Sequence, residues 1–132
     1  MAMYVYPAIF KLCSDNSYYV NFPDVPSCYT QGESIADALI MANDVLCIRM
    51  YDIEESGESI PTASDINEIK TDKDEFVSLV ACDTLEYRKF YDKKAVKKTL
   101  TIPNWLNVMS ERENINFSQV LQEALMEKLG VK

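Results

Sequence analysis

The segment Lys97-Lys98-Thr99-Leu100-Thr101-Ile102-Pro103 alternates polar and apolar side chains with a period of two. As a strand it sends Leu100 and Ile102 to one face and Lys97, Thr99 and Thr101 to the other. A strand this short is unstable alone, because unpaired backbone N–H and C=O groups are costly unless bonded. The simplest partner is the same strand from a second copy of the chain. The resulting two-stranded ribbon presents Lys and Thr outward, a shape that fits the DNA major groove.

Other chemistry is largely excluded. There is no histidine, so Ser-His-Asp, Cys-His and His-metal catalysis are ruled out together. The four cysteines, Cys13, Cys28, Cys47 and Cys82, are widely separated and form no paired metal-ligand spacing. They read as small buried apolar residues in a reducing compartment. No catalytic residue, metal or cofactor is expected.

The elements that must position the polar strand follow from pattern. Pro103 ends it and seats at the first turn of a helix carrying Trp105, Leu106 and Met109. A break at residues 114–116 precedes a second helix, opened by the Asn116/Gln119 capping pattern and closed by Gly130. Phe117, Val120, Leu121, Ala124, Leu125 and Leu129 form its buried stripe. Neither helix is long enough to stand alone, so their apolar faces imply dimer packing.

Upstream, residues 4–11 and 17–22 read as a hairpin around Ser14-Asp15-Asn16, and 28–31 as a third strand after Pro23-Asp24-Val25-Pro26. Ser34 with Asp37 opens a long helix whose buried stripe is Ile35, Leu39, Ala42, Leu46, Met50 and Ile53, closed at Ser56-Gly57. Residues 57–75 read as a loop. Residues 76–82 read as a strand covered on both faces, and Asp83 with Glu86 caps a short helix to Tyr91. The order is β-β-β-α-β-α and then β-α-α, an α+β chain.

The 132 residues are 48% hydrophobic, ample for a core, and carry a net charge of −8. That charge is uneven: residues 93–132 hold seven basic and four acidic side chains, whereas residues 1–92 hold six basic and seventeen acidic ones, +3 against −11. Two modules with different partners follow, 1–92 and 93–132. The first repels DNA and attracts something basic. No segment is apolar enough to span a bilayer and the start is no signal peptide, so a cytoplasmic location is expected.

Residues 95–130, through the alternating strand, the Thr-Ile-Pro transition and the Asn-x-Ser helix opening, resemble the ribbon-helix-helix bacterial repressors. By that resemblance Lys97, Thr99 and Thr101 read base edges, and Asn116, Phe117 and Ser118 grip a phosphate. Helix N-termini favour anions on physical grounds as well. Residues 4–56 resemble the partial RNase H-like domain of HicB-type antitoxins. The matching pieces are Tyr6-Pro7-Ala8-Ile9-Phe10, then residues 19–28 from Tyr19 to Cys28, and Thr30-Gln31-Gly32-Glu33 leading into Ala36-Asp37-Ala38-Leu39.

These resemblances imply a type II antitoxin that blocks a basic, HicA-like mRNA interferase toxin and represses its own operon. It would be a homodimer through residues 95–130, with tetramers or paired operators adding avidity. Asp24 and Glu33 are toxin contacts or solvated acids; Tyr18, Tyr19 and Tyr29 are interface anchors or core. A residual nuclease would need carboxylates converging on metal ions, and Asp15, Asp24 and Asp44 read instead as a turn residue and solvated acids. A ribbon-helix-helix regulator whose N-terminal domain senses a ligand or a protein is the alternative.

Overall fold

The structure is a computed structural model, and it describes residues 2–132. The chain divides into two compact units, Met1–Lys94 and Ala95–Lys132. The first is mixed α+β, with a four-stranded antiparallel sheet in the order β3-β2-β1-β4.

Strands β1 (Met3–Leu12) and β2 (Tyr18–Asn21) form the expected hairpin. Its turn is tied by Asp15, whose Oδ1 accepts from the Ser17 N–H at 3.0 Å and from its hydroxyl. Asn16 takes the left-handed conformation that such turns need, φ 65°. Pro7 sits inside β1 without breaking the sheet. In β1 the even-numbered residues bond toward β4, as the flanking Leu12 N–H to Asp74 C=O and Thr84 N–H to Ala2 C=O bonds show. The missing N–H of Pro7 therefore faces the β2 side, where β2 has already ended ahead of Pro23. Strand β3 (Tyr29–Gly32) then pairs with β2.

Helix α1 (Ile35–Ser56) crosses one face of the sheet. The Ser34 side chain accepts from the Asp37 N–H at 3.1 Å, and Asp37 accepts from the Glu33 N–H at 2.9 Å. Gly57, at φ 74°, closes the helix through its N–H to the Ile53 carbonyl. The inward side buries Ala38, Ala42, Leu46, Cys47, Met50 and Ile53 against Tyr6, Ala8, Phe10, Val20, Val80 and Cys82. Ile35 and Leu39, expected in this stripe, are exposed instead. At this end the helix meets the backbone of β3 too closely for large side chains, and Ala38 takes the contact with Gly32.

Strand β4 (Glu75–Asp83) returns to pair with β1 along its length. It is an edge strand, and only Val80 and Cys82 are buried; Phe76, Leu79 and Ala81 are exposed. The expectation of a strand covered on both faces is thus corrected, because α1 covers one face and the described residues leave the other open. Of the cysteines, Cys28, Cys47 and Cys82 are buried, while Cys13 is only partly so.

Helix α2 (Thr84–Tyr91) is capped by Asp83, which accepts from Leu85 and Glu86 N–H. It is clasped to the rest of the unit by Glu54. That carboxylate accepts from Tyr4 Oη at 2.7 Å, Thr84 Oγ1 at 2.9 Å and Arg88 Nη2 at 3.1 Å. Burial opposes its charge, yet hydrogen bonding, to which these three contribute, prevails and holds Glu54 at about 2. Burial and the adjacent Glu54 push Tyr4 up to about 12. The 57–75 loop, which contains a single 3₁₀ turn at Ile66–Glu68, is strapped down at two points: Tyr6 Oη donates to the Pro61 carbonyl at 2.6 Å, and Ser64 to Asp24.

The second unit has helices α3 (Asn104–Arg112) and α4 (Phe117–Leu129). Asn116 caps α4, its side chain accepting from the Gln119 N–H at 3.1 Å. Gly130 closes it at φ 67°, with the Val131 N–H on the Met126 carbonyl. Residues 93–102 carry neither helix nor strand hydrogen bonding within the chain. No residue of this unit is buried. The stripe expected to be buried in α4 is exposed, apart from half-buried Leu121, because one copy of two short helices has nothing opposite to pack against.

Candidate functional site

The second unit offers two concavities. One, about 500 Å³, is lined chiefly by apolar side chains, among them Leu100, Ile102, Phe117, Val120, Leu121 and Ala124. The other, about 440 Å³, is lined by Lys97 and Thr99 together with Ser118, Gln122 and neighbouring apolar residues. Leu100 and Ile102 line the apolar hollow and Lys97 and Thr99 the more polar one, while Lys98 lines both. Thr101 is exposed.

The residues at the start of α4 divide. Asn116 spends its side-chain oxygen on the cap. Phe117 lines the apolar hollow, and Ser118 lines both hollows. Lys97, Lys98, Thr99 and Thr101 lie in a fully exposed stretch that joins no intrachain ladder.

In the first unit Asp24, Tyr29 and Glu33 belong to three different features. Both carboxylate oxygens of Asp24 accept from Ser64, Oδ2 from its N–H at 2.9 Å and Oδ1 from its hydroxyl, so this acid fastens the loop. Tyr29 is exposed on the uncovered sheet face, its ring 6.3 Å from that of Tyr19. Glu33 is exposed just before α1. Tyr18 packs at the margin of the core, whereas Tyr19 and Tyr29 do not.

Asp15, Asp24 and Asp44 sit on the hairpin turn, the loop strap and α1 respectively. Among the described residues no three His, Cys, Asp or Glu side chains gather as a metal site would require. No helix there is long and apolar enough to cross a membrane.

Sequence reasoning passed over the outward side of α1, where Ile40, Met41 and Ile48 are exposed between Asp37, Asp44 and Asp52. The i, i+4 run Ile40-Asp44-Ile48-Asp52 was the available signal. Glu54 was missed because its partners, Tyr4, Thr84 and Arg88, are remote in sequence.

An antiparallel sheet with one covering helix, joined to a coreless helical unit that begins with a polar-apolar alternation, defines a two-part α+β chain. Residues 6–111 match the family described as HicB-like antitoxin of bacterial toxin-antitoxin systems, and the chain belongs to that family. Antitoxin HicB 1 of Photorhabdus laumondii is 33% identical over 90 residues, 67% of this chain and 56% of that protein. Antitoxin HicB of Escherichia coli K12 is 36% identical over 62 residues, 47% of this chain and 45% of the relative. The chain thus spans about half the length of these two relatives.

A toxin-antitoxin complex from Streptococcus pneumoniae contains a chain 34% identical, with a TM-score of 0.60 over 96% of this chain and 99% of that one. The Burkholderia pseudomallei antitoxin HicB shares the fold at 22% identity, with a TM-score of 0.55 over 96% of this chain and 98% of that one.

Proposed function

We propose that the chain neutralises a small basic HicA-like mRNA-cleaving toxin with its first unit and represses its own operon with its second. In this reading the first unit is a partial RNase H-like domain that binds and occludes the toxin without catalysis. The second is a ribbon-helix-helix module, in which strands 97–102 of two copies pair in the cytoplasm and meet operator DNA. Lys97, Thr99 and Thr101 face the bases, and the start of α4 at Asn116, Phe117 and Ser118 meets a phosphate.

The observation that carries this is the second unit's lack of any buried residue, although Leu100, Ile102, Phe117, Val120 and Leu125 are large and apolar. A second copy supplies at once the missing core and the missing strand partner. Charge supports the division of labour: −11 over residues 1–92 attracts a basic toxin, while +3 over residues 93–132 suits DNA. The partner assignment is supported by the similarity of this chain to one in a toxin-antitoxin complex from Streptococcus pneumoniae.

The test is the full-length Thr99→Ala/Thr101→Ala variant. Footprinting on the chain's own promoter should show operator selectivity reduced roughly 30-fold or more, from about 1–3 kcal/mol for each of the two lost base contacts. Rescue of cells from the co-encoded toxin should be unchanged. Loss of both activities together, or an operator footprint as selective as before, would refute the division.

A further inference from the structure

We propose that the outward side of α1 is a docking surface for a basic protein, with Ile40, Met41 and Ile48 as apolar contacts interleaved with Asp37, Asp44 and Asp52. The inference rests on the reading of this chain as an antitoxin whose partner is basic, and it locates where that partner sits. Helix α1 is apolar on two sides. Its inward side is spent on the sheet through Ala38, Ala42, Leu46, Met50 and Ile53. At about 100° per residue Asp44 lies opposite that stripe, with Ile40, Met41 and Ile48 close beside it.

Ile40 is 62% exposed, Ile48 48% and Met41 38%. A surface helix normally turns polar residues to water, and a helix that is apolar all round is normally covered all round. Isoleucine has no helix-forming merit over Glu, Lys or Ala that would explain its choice at a solvated position. The two isoleucines sit two turns apart on one side, as anchors for a partner do.

Charge names the occupant. Asp44 and Asp52 hold no hydrogen bond or ion pair among the described residues, and the Asp37 carboxylate accepts one backbone N–H, that of Glu33, through Oδ2. The one basic residue of α1, Arg49, is turned aside: its Nε donates to the Pro26 carbonyl at 2.9 Å, and it pairs with Glu58 at 3.8 Å. A second copy would bring the same carboxylates face to face, and nucleic acid or an anionic membrane would be repelled likewise. A protein presenting apolar side chains ringed by Lys or Arg would be attracted. The uncovered sheet face, with Val5, Leu79, Lys11 and Glu75, has no such bias and names no occupant.

The experiment measures binding of the full-length chain to a catalytically inactive form of the basic toxin encoded beside it, by calorimetry at several salt concentrations. Ile40→Lys/Ile48→Lys should weaken the complex about 100-fold or more, the scale of a lost anchor pair. Asp44→Lys/Asp52→Lys should weaken it roughly 10-fold and flatten its salt dependence. Ile40→Leu should bind as the parent does, and all these variants should melt with it, since none of the side chains is in the core. Hydrogen exchange on the parent complex should show protection along 37–52. Parent-like affinity of the double lysine variant, with protection elsewhere, would overturn this surface while leaving the antitoxin reading intact. A smaller assembly with unchanged toxin affinity would make it a contact between copies and overturn it too. Absence of any complex with the parent chain would instead remove the antitoxin reading, and this inference with it.

Discussion

Gly32 and Ala38 approach so closely that a β-carbon on Gly32 would lie 2.4 Å from the Ala38 backbone nitrogen and 2.5 Å from its Cα. The obstacle is backbone, so no rotamer change relieves it. Gly32→Ala must push the first turn of α1 away from β3 and open the packing of Ala38 and Ala42 behind it. We expect a loss of roughly 1–3 kcal/mol or more, the range for overpacked cores, read as a lower melting temperature. Gly57 differs, having nothing within 4 Å of a built β-carbon, and Gly57→Ala meets only the strain of φ 74°. Its expected loss is about 1 kcal/mol. Equal effects of the two substitutions would contradict the close approach.

Glu54 and Tyr4 make unit stability depend on pH at both ends of the scale. Glu54 is held at about 2, below its ordinary 4.5, so the stability it lends is complete above that ordinary value. It fades as pH falls toward 2, a contribution of roughly 2–3 kcal/mol. Tyr4 is pushed from 10.0 to about 12, so its contribution is complete below 10 and fades as pH rises toward 12. Glu54→Gln keeps the shape, removes the charge that Arg88 and Tyr4 answer, and should flatten the acid limb. It should weaken the alkaline limb without abolishing it, since burial is the first cause of the rise at Tyr4. Urea midpoints measured across pH for the parent and the variant check this. A variant whose acid limb matches the parent's would contradict the clasp.

The helix ends were legible in the sequence because capping is local. Ser34, Asp83 and Asn116 each satisfy N–H groups two or three residues on, and Gly57 and Gly130 each close a helix in the left-handed region. The hairpin was legible for the same reason. Faces set by remote partners were not. Ile35 and Leu39 fit the helical period but are kept out of the core by the Gly32–Ala38 contact, which no periodicity reveals. Asp24 looked like a free acid between prolines, yet Ser64, forty residues on, takes both of its oxygens. The alternation of 97–102 was readable, but no strand of the same chain pairs with it.

The coreless second unit sets the last expectation. Its two helices are short, and isolated helices below about 12–15 residues are marginal in water. Whatever holds α3 and α4 in shape must therefore come from association, and their helicity must follow mass action. On serial dilution of the full-length chain, far-UV circular dichroism should fall as the assembly dissociates, while the near-UV signal of the tyrosine-rich first unit persists. Leu100→Asp should reproduce the diluted state at high concentration by placing a charge in the apolar hollow with Ile102 and Phe117. The first unit, which has its own buried core, should melt at the same temperature in both. Full helicity retained in a demonstrably monomeric sample would show that the second unit folds alone, and the paired-strand reading would lose its physical basis.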